Sequence, residues 1–264
     1  MPEVKSRYLS NTTARNTPLF PSKVALDLRR LGVESGDTVM VHASLRAIGP
    51  VEGGAGGVLE ALEHAVGPRG TLLMTLGARA DEPFDASTTP ADPDVGYLAE
   101  AFRRRAGTLV TDHPEGRFGA RGGRAGELLM NPPWHDYYGP GSALERLCRW
   151  GGRVLRLGAD LETTTLLHYA EYLAPLAEKR RVRRHRRVVR DGAAVDVHVD
   201  CLDDEHGIVD YPDGDYFGRL LTDYLAEGRA RTGAVGGARS ELIDANDLLT
   251  FGVRWMTARL GPPR

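Results

Sequence analysis

Cysteine is scarce in this chain, and the two cysteines do not form a recognisable metal-binding or disulfide pattern. Cys148 and Cys201 belong to no CxxC or Cys/His ligand spacing, and two cysteines are too few for a disulfide scaffold. Neither lies beside an obvious base in the sequence, which disfavours a covalent acyl-cysteine route. We therefore expect no metal site.

Long apolar runs and an excess of charge of one sign are also missing. No stretch approaches the ~18 apolar residues of a membrane span, and no apolar run follows the first residues as in a secretory signal. The 34 basic residues nearly balance the 36 acidic ones, with a net charge of −2 at pH 7. This balance argues against a dedicated nucleic-acid-binding protein. We expect a soluble, cytoplasmic protein whose partners include neither nucleic acid nor membrane.

The chain has enough apolar residues to fold around a core. It contains 264 residues, of which 41% are hydrophobic and 27% charged, so intrinsic disorder is excluded as the main state. Residues 1–20 are polar and unpatterned and predict a loose N-terminal arm. Residues 21–264 contain no convincing linker and predict a single domain.

Helical and strand patterns alternate in the first part of this domain. A helix is predicted from Pro21 to Gly32, a strand at 38–42, a helix around 58–65 and a strand at 71–75. Further helices are predicted near 95–105, 125–130, 143–147, 163–173, 217–224 and 248–260, and further strands near 108–110 and 153–158. The alternation predicts an α/β fold with a mixed central sheet flanked by helices.

An inserted β-hairpin is predicted near residues 182–201. Strict alternation follows the dipeptide Asp191-Gly192, which is a strong signal for a two-residue hairpin turn. The basic residues at 179–187 are interpreted as a solvated strand face. A nucleic-acid contact is the weaker alternative, because aromatic residues are not interleaved with them.

His168 is the first candidate catalytic residue. On the helix predicted at 163–173, Glu171 lies one turn after His168, and Thr164 and Thr165 lie one turn before it. A carboxylate that orients one ring nitrogen leaves the other nitrogen to act as a base. A core histidine bonded to a backbone carbonyl is the alternative, and spacing alone favours it.

A second candidate site follows the first predicted strand. Residues 42–46 are followed by several glycines at 49–57, and free backbone N–H groups with Ser44 and Arg46 would suit phosphate oxygens. The segment matches no standard nucleotide motif, so an ordinary glycine-rich turn is favoured. The acidic residues at 81–94 and 203–215 either are solvated or together form a pocket for a polycation.

Taken together, these segments resemble the aminoglycoside 3-N-acetyltransferase family, which uses acetyl-CoA and lacks the common GNAT fold. The matching stretches run in family order over residues 20–260 and lie at 41–49, 67–72, 81–85, 112–114, 154–158, 164–171 and 233–236. The segment Thr164–Glu171 is the distinctive one. In one departure, Arg117 precedes Phe118 where the family tends to have serine.

The resemblance implies roles for individual residues. His168 would be the catalytic base, assisted by a carboxylate that we match to Asp203, with Glu171, Glu205 and Asp215 as rivals. Acetyl-CoA would be bound by His42, Ala43, Ser44, Leu45, Arg46, Thr75, Phe118 and Ser142. The aminoglycoside would be bound by acidic side chains, chiefly Asp81, Glu82, Asp85, Glu171, Glu205 and Asp210.

The implied function is acetyl-CoA-dependent N-acetylation of the 3-amino group of aminoglycoside antibiotics by direct transfer, which would confer antibiotic resistance. One alternative is an acetyltransferase of the same fold that acts on another amine. The alternative from a different class is a nucleic-acid-binding module built on the basic hairpin. The sequence leaves open whether the chain is a monomer or a homodimer.

Overall fold

A seven-stranded mixed sheet forms the centre of the computed structural model, which describes residues 17–212 and 214–261. The strands are β1 (Thr38–Ala43), β2 (Thr71–Thr75), β3 (Leu109–Val110), β4 (Phe118–Gly122), β5 (Arg153–Leu157), β6 (Arg181–Arg190), β7 (Ala193–Leu202), β8 (Arg231–Val235) and β9 (Ala238–Asp244). The sheet order is β3-β4-β2-β1-β5-β9-β8, and β6 pairs with β7 in a separate hairpin. Strand β1 is parallel to β2 and β5, whereas the other pairs are antiparallel.

Helices cover both faces of this sheet. They are α1 (Pro21–Leu31), α2 (Leu45–Ile48), α3 (Ala55–Val66), α4 (Tyr97–Arg104), α5 (Ala125–Leu129), α6 (Ala143–Arg149), α7 (Leu166–Leu173), α8 (Tyr216–Ala226) and α9 (Ala245–Arg259). Successive side chains of a strand point to opposite faces. Accordingly, Val39 and Val41 of β1 join the core under α1 and α3, and Met40 joins the core under α6, α7 and α9. The predicted α/β fold with a mixed central sheet flanked by helices is confirmed.

The inserted hairpin is confirmed as well, and its turn has the expected geometry. Asp191 and Gly192 both have positive φ angles, 52° and 80°, as a two-residue hairpin turn requires. The arginines of β6 do not form a bare basic face. Five of its six arginines bind carboxylates of the same chain; for example, Arg181 lies 2.7 Å from Asp136 and Arg186 lies 2.6 Å from Glu115.

The sequence-based prediction missed strands β4, β8 and β9. The most consequential is β9, which lies inside the sheet between β5 and β8 and contains the buried residues Ser240 and Glu241. Glu241 pairs with the buried Arg156 of β5 at 3.1 Å. These polar residues break the apolar pattern that would have indicated a central strand.

The N-terminal arm was predicted at residues 1–20, of which residues 1–16 lie outside the described residues. Leu19 is attached to the body of the protein: its N–H donates to the Pro50 carbonyl at 2.8 Å, and its carbonyl accepts from the Glu52 N–H at 2.9 Å. Among the helices in residues 17–212 and 214–261, none combines the length and apolar character needed to cross a membrane.

Gly158 directly follows β5 and begins the segment that leads to α7. Gly158 has φ 62°, and a Cβ atom there would lie 2.4 Å from the Cβ of Ala47. Gly158→Ala is therefore expected to lower the free energy of unfolding by at least about 2 kcal/mol, from strain and a steric clash together. Gly151→Ala is the matched control in urea unfolding, because Gly151 has φ 64° with no atom within 4 Å of the added Cβ. Equal losses for the two variants would show that the clash with Ala47 is unimportant.

Candidate active site

His168 lies in the first turn of α7 and is held by a carboxylate of the same helix. Its Nδ1 atom is 2.8 Å from Oε2 of Glu171, and Oε1 of Glu171 accepts a hydrogen bond from the Tyr216 hydroxyl at the start of α8. Glu171 is only 1% exposed, whereas His168 remains 19% exposed. With Nδ1 occupied by Glu171, Nε2 is the ring nitrogen available for proton transfer.

Neighbouring charges set the pKa of His168, and neighbouring aromatic rings set the orientation of its imidazole. Burial alone would lower its pKa, but the charge of Glu171, the hydrogen bond with it and the nearby Asp204 and Asp215 outweigh burial and raise the pKa. The ring stacks almost parallel on Tyr138 at 5.0 Å and contacts Phe217 at 4.8 Å. The imidazole is thereby fixed in orientation and remains basic.

Asp203, the carboxylate predicted to assist His168, forms other hydrogen bonds in this structure. The Asp203 carboxylate accepts the backbone N–H groups of Glu205 at 3.2 Å and His206 at 3.0 Å, so it closes the turn that follows β7. Of the rivals, Asp215 caps α8 by accepting the Phe217 N–H at 2.6 Å. Glu171 is the carboxylate that hydrogen-bonds His168.

An acidic cavity of about 420 Å³ opens beside His168. Its lining contains no arginine or lysine and includes the carboxylates of Glu162, Glu171, Asp204, Glu205, Asp210 and Asp215. We call it the acidic cavity. This lining includes Glu171, Glu205 and Asp210, three of the residues predicted to bind the aminoglycoside. Asp204 is paired with Arg184 and Asp210 with Arg180, and the acidic residues of the lining still outnumber these two arginines, so the cavity would attract a polycation.

The other predicted acidic residues lie elsewhere. Asp81, Glu82 and Asp85 do not line the acidic cavity. Asp81 is 59% exposed and pairs with Arg79 at 2.6 Å. The Asp85 carboxylate closes its own turn by accepting the Ser87 N–H at 2.7 Å. The Asp81 and Asp85 carboxylates are thus engaged within their own loop, and the binding of the aminoglycoside by these three residues stays a prediction.

A second cavity, of about 710 Å³, lies at the end of β1. We call it the strand-end cavity. Six of the residues assigned to acetyl-CoA line it: His42, Ala43, Ser44, Leu45, Arg46 and Thr75. The glycine-rich segment 49–57 does not contribute to it, and Val51 in that segment pairs instead with Leu19.

The remaining two residues assigned to acetyl-CoA, Phe118 and Ser142, lie outside the lining of the strand-end cavity. Phe118 is buried and packs edge-on against Tyr138 at 5.8 Å. Ser142 is buried at the start of α6, where its Oγ accepts the Glu145 N–H at 3.3 Å. Both side chains therefore have packing or capping contacts within the fold, and their role toward acetyl-CoA stays a prediction.

His42 is the unusual member of the strand-end cavity. It is buried, and burial together with the positive charge of Arg156 lowers its pKa to about 3, so the ring is neutral at pH 7. Its Nε2 atom has no hydrogen-bond partner among the described residues. A buried ring nitrogen without a partner is costly unless a ligand satisfies it, which suits a polar substrate at this position.

A third cavity, of about 590 Å³, lies between the first two, and we call it the middle cavity. It shares Thr75 with the strand-end cavity and Asp204 and Glu205 with the acidic cavity. The Thr75 hydroxyl is 3.1 Å from the hydroxyl of Thr165, immediately before α7. Two ligands entering from opposite sides would therefore approach each other near the His168 helix.

Sequence reasoning missed several residues around His168. Tyr138 and Asp204 lie in loops, and Tyr216 and Phe217 begin a helix that is remote in sequence. Asp204 accepts from the Tyr137 hydroxyl at 2.7 Å and from the Arg184 guanidinium. Only the juxtaposition of acidic residues at 203–205 gave a signal, and it did not show which of them faces His168.

One group in the described ranges has the composition of a metal site. Ligand atoms of His135, His198 and Asp200 lie within 4.8 Å of one another. They are already engaged, because Nδ1 of His135 accepts the Asp200 N–H at 3.0 Å and Arg183 binds the Asp200 carboxylate at 2.7 Å. We assign no metal to them.

Comparison with known proteins gives a consistent result. The family model described as aminoglycoside 3-N-acetyltransferase matches residues 40–257. The chain is 40% identical to aminoglycoside N(3)-acetyltransferase VII of Streptomyces paromomycinus, covering 94% of each protein. Similar solved structures include a binary complex of AAC-IIIb with CoASH, with TM-score 0.90 and 34% identity over 94% of this chain and 100% of that one. Another is AAC-VIa bound to sisomicin, with TM-score 0.87 and 37% identity over 92% and 99%.

Proposed function

Because the chain belongs to the aminoglycoside 3-N-acetyltransferase family, we propose that it transfers the acetyl group of acetyl-CoA directly to the 3-amino group of an aminoglycoside, with His168 as general base. The observation that carries this proposal is the His168–Glu171–Tyr216 hydrogen-bonded chain beside the acidic cavity. The enzyme is an acyltransferase, and its action on these antibiotics would confer resistance.

The acceptor chemistry requires a base. An aminoglycoside amine is mostly protonated at neutral pH, and an ammonium has no lone pair for attack. Nε2 of His168 accepts the proton, and the Glu171 carboxylate stabilises the imidazolium that results. The amine nitrogen then attacks the thioester carbonyl and the C–N bond forms. As the C–S bond breaks, the sulfur takes up the proton that the attacking nitrogen loses, so the coenzyme leaves as its thiol. The His168 imidazolium afterwards releases its proton to solvent.

The two substrates have separate cavities of suitable character. We assign acetyl-CoA to the strand-end cavity, where His42, Ser44 and Arg46 supply polar groups; a relative binds CoASH. We assign the aminoglycoside to the acidic cavity, whose carboxylates complement its ammonium groups. The hydroxyls of Thr75 and Thr165 lie at the boundary and are candidates to donate to the developing oxyanion.

The decisive assay is acetyl-CoA-dependent release of free thiol in the presence of an aminoglycoside. The product should gain the mass of one acetyl group, located on the 3-amino nitrogen by NMR. A panel that also contains simple amines and polyamines tests the alternative acceptor class. Acetylation of those amines without turnover of any aminoglycoside would contradict the proposed substrate. Salt-sensitive retention on nucleic acid without thiol release would favour the binding-module alternative.

We expect the double variant Glu162→Gln/Glu205→Gln to raise KM for aminoglycosides by roughly 3- to 10-fold, because exposed charge pairs contribute little each. Both side chains are exposed and line the acidic cavity. The dependence of that KM on salt should also become weaker, since screening acts over ~8 Å at physiological ionic strength. The KM for acetyl-CoA should not change.

Asp81→Asn/Glu82→Gln is the matched control for this prediction. It removes the same number of negative charges from exposed positions that do not line the acidic cavity. We expect it to behave like the parent across several aminoglycosides. Equal increases of KM in the two double variants would show that net charge, rather than the acidic cavity, recruits the acceptor.

A further inference from the structure

Arg117 is a fully buried arginine whose partners are backbone carbonyls of one loop. Nη1 donates to the Pro90 carbonyl at 2.7 Å and to that of Gly77 at 3.2 Å, and Nη2 donates to the Thr89 carbonyl at 2.7 Å. A longer contact of 3.4 Å reaches the carbonyl of Ala86. Within the described ranges no carboxylate lies at ion-pair distance from Arg117. The guanidinium therefore gathers both ends of the segment 77–90, which we call the wall loop.

The β6–β7 hairpin also forms hydrogen bonds to the wall loop. Arg186 of β6 donates to the Arg79 carbonyl at 2.7 Å, and its other nitrogen binds Glu115 at 2.6 Å. The buried Phe84 donates its N–H to the Arg187 carbonyl at 2.8 Å and accepts from the Val189 N–H at 2.7 Å. Arg117 also lies over the Phe84 ring, 5.1 Å from its centroid. The wall loop is thus held between two arginines and a short bridge to β6.

The wall loop borders the space between the two substrates. Its residues Gly77, Ala78 and Ala80 line the middle cavity, which shares Thr75 with the strand-end cavity and Glu205 with the acidic cavity. Large apolar anchors are scarce in it, with Phe84 buried and its neighbours Asp81 and Glu82 exposed. The position of this wall therefore depends on hydrogen bonds to its carbonyls.

We propose that Arg117 is a positioning residue that holds the wall loop in the conformation that lines the middle cavity, next to the acidic cavity assigned to the acceptor. The planar guanidinium carries five N–H donors in a fixed fork, which suits several carbonyls at once. A neutral side chain there leaves buried carbonyls unpaired, and they are satisfied most readily if the loop moves out to water. The groups that hold His168, namely Glu171, Tyr138 and Phe217, belong to other segments and remain in place.

Trypsin provides a test that needs no enzymatic activity. Arg79 is 56% exposed in the wall loop, but cleavage after it requires the loop to leave its place and enter the protease. We expect Arg117→Met to increase the rate of cleavage after Arg79 at least tenfold relative to the other tryptic sites, as followed by mass spectrometry. Arg117→Lys, which keeps the charge with fewer donors, should give an intermediate rate.

Arg105→Met is the matched control, because Arg105 is a partly buried arginine that binds Glu63 at 2.5 Å and does not contact the wall loop. Its cleavage after Arg79 should equal that of the parent. If Arg117→Met does not fold, Arg186→Met is the second variant. It removes the hydrogen bond to the Arg79 carbonyl and should show the same selective cleavage after Arg79. A folded variant with a cooperative thermal transition and parental cleavage after Arg79 would overturn the proposal.

The kinetic test rests on the proposed function. Arg117→Met should raise KM for aminoglycosides about tenfold and leave KM for acetyl-CoA and the acidic limb of the pH profile unchanged. Equal effects on both substrates would overturn the positioning role, because they would indicate a general loss of structure. If the parent itself does not acetylate aminoglycosides, the proposed function fails, whereas the proteolysis result still decides whether Arg117 holds the loop.

Discussion

His168→Asn is expected to lower kcat by on the order of 10²–10⁴, the usual range for loss of a general base. Asparagine has no basic nitrogen, so the ammonium of the acceptor would have to lose its proton to water. Affinity for acetyl-CoA should hardly change, because His168 does not line the strand-end cavity. The measurements are steady-state kcat and the binding of CoA by calorimetry. Turnover within a few-fold of the parent would refute the assignment of the base.

His113→Asn separates loss of a base from loss of a buried ring. Burial is the largest effect on His113 and lowers its pKa to about 4. Both of its ring nitrogens are engaged, with Nε2 bonded to the Trp134 carbonyl at 2.8 Å and Nδ1 accepting the Gly116 N–H at 2.8 Å. This substitution should lower thermal stability and change kcat far less than His168→Asn does. A comparable loss of kcat would mean that disturbed packing explains both variants.

The catalytic helix illustrates how much of the site local spacing can predict. His168 and Glu171 are three residues apart, and residues at this spacing share one face of a helix. The sequence therefore places this pair together without any tertiary information. Asp203 is different, because the path of a loop decides whether its carboxylate reaches a histidine or caps its own turn. Tyr216, which completes the hydrogen-bonded chain, comes from a helix that only the fold brings to Glu171.

The difference between local sequence signals and contacts made only by the fold also explains which cavity residues were predicted. The segment His42–Arg46 spans the carboxyl end of the buried parallel strand β1, and ligands commonly bind at the carboxyl ends of such strands, so its place in the strand-end cavity was predictable. The two acidic loops have similar composition, and nothing local shows that Glu205 and Asp210 line the acidic cavity whereas Asp81 and Glu82 do not. Strand β9 was missed for a related reason, since its Glu241 is buried against Arg156, a partner on another strand.

Glu171→Gln is expected to shift the acidic limb of the kcat/KM profile to lower pH and to lower kcat. In the parent, burial lowers the pKa of His168, and the charge of Glu171 with its hydrogen bond reverses this and raises the pKa. Without the carboxylate charge, burial dominates and the pKa falls. The active base is the neutral imidazole, so activity appears as the pH rises through the His168 pKa. A lower pKa therefore moves this limb to lower pH.

The plateau of the profile should fall at the same time, by on the order of 10²–10⁴ in kcat, because the imidazolium that forms during proton transfer loses its counter-charge. Glutamine is nearly isosteric, and its amide oxygen retains an acceptor for the Tyr216 hydroxyl, so the fold should be kept. Asp203→Asn is the matched control, since the Asp203 carboxylate accepts the N–H groups of Glu205 and His206, lies 3.4 Å from the His206 ring and does not contact His168. Its pH profile should coincide with that of the parent. If Asp203→Asn displaces the limb and Glu171→Gln does not, Asp203 is the functional partner of His168, and the turn it closes must rearrange when substrates bind.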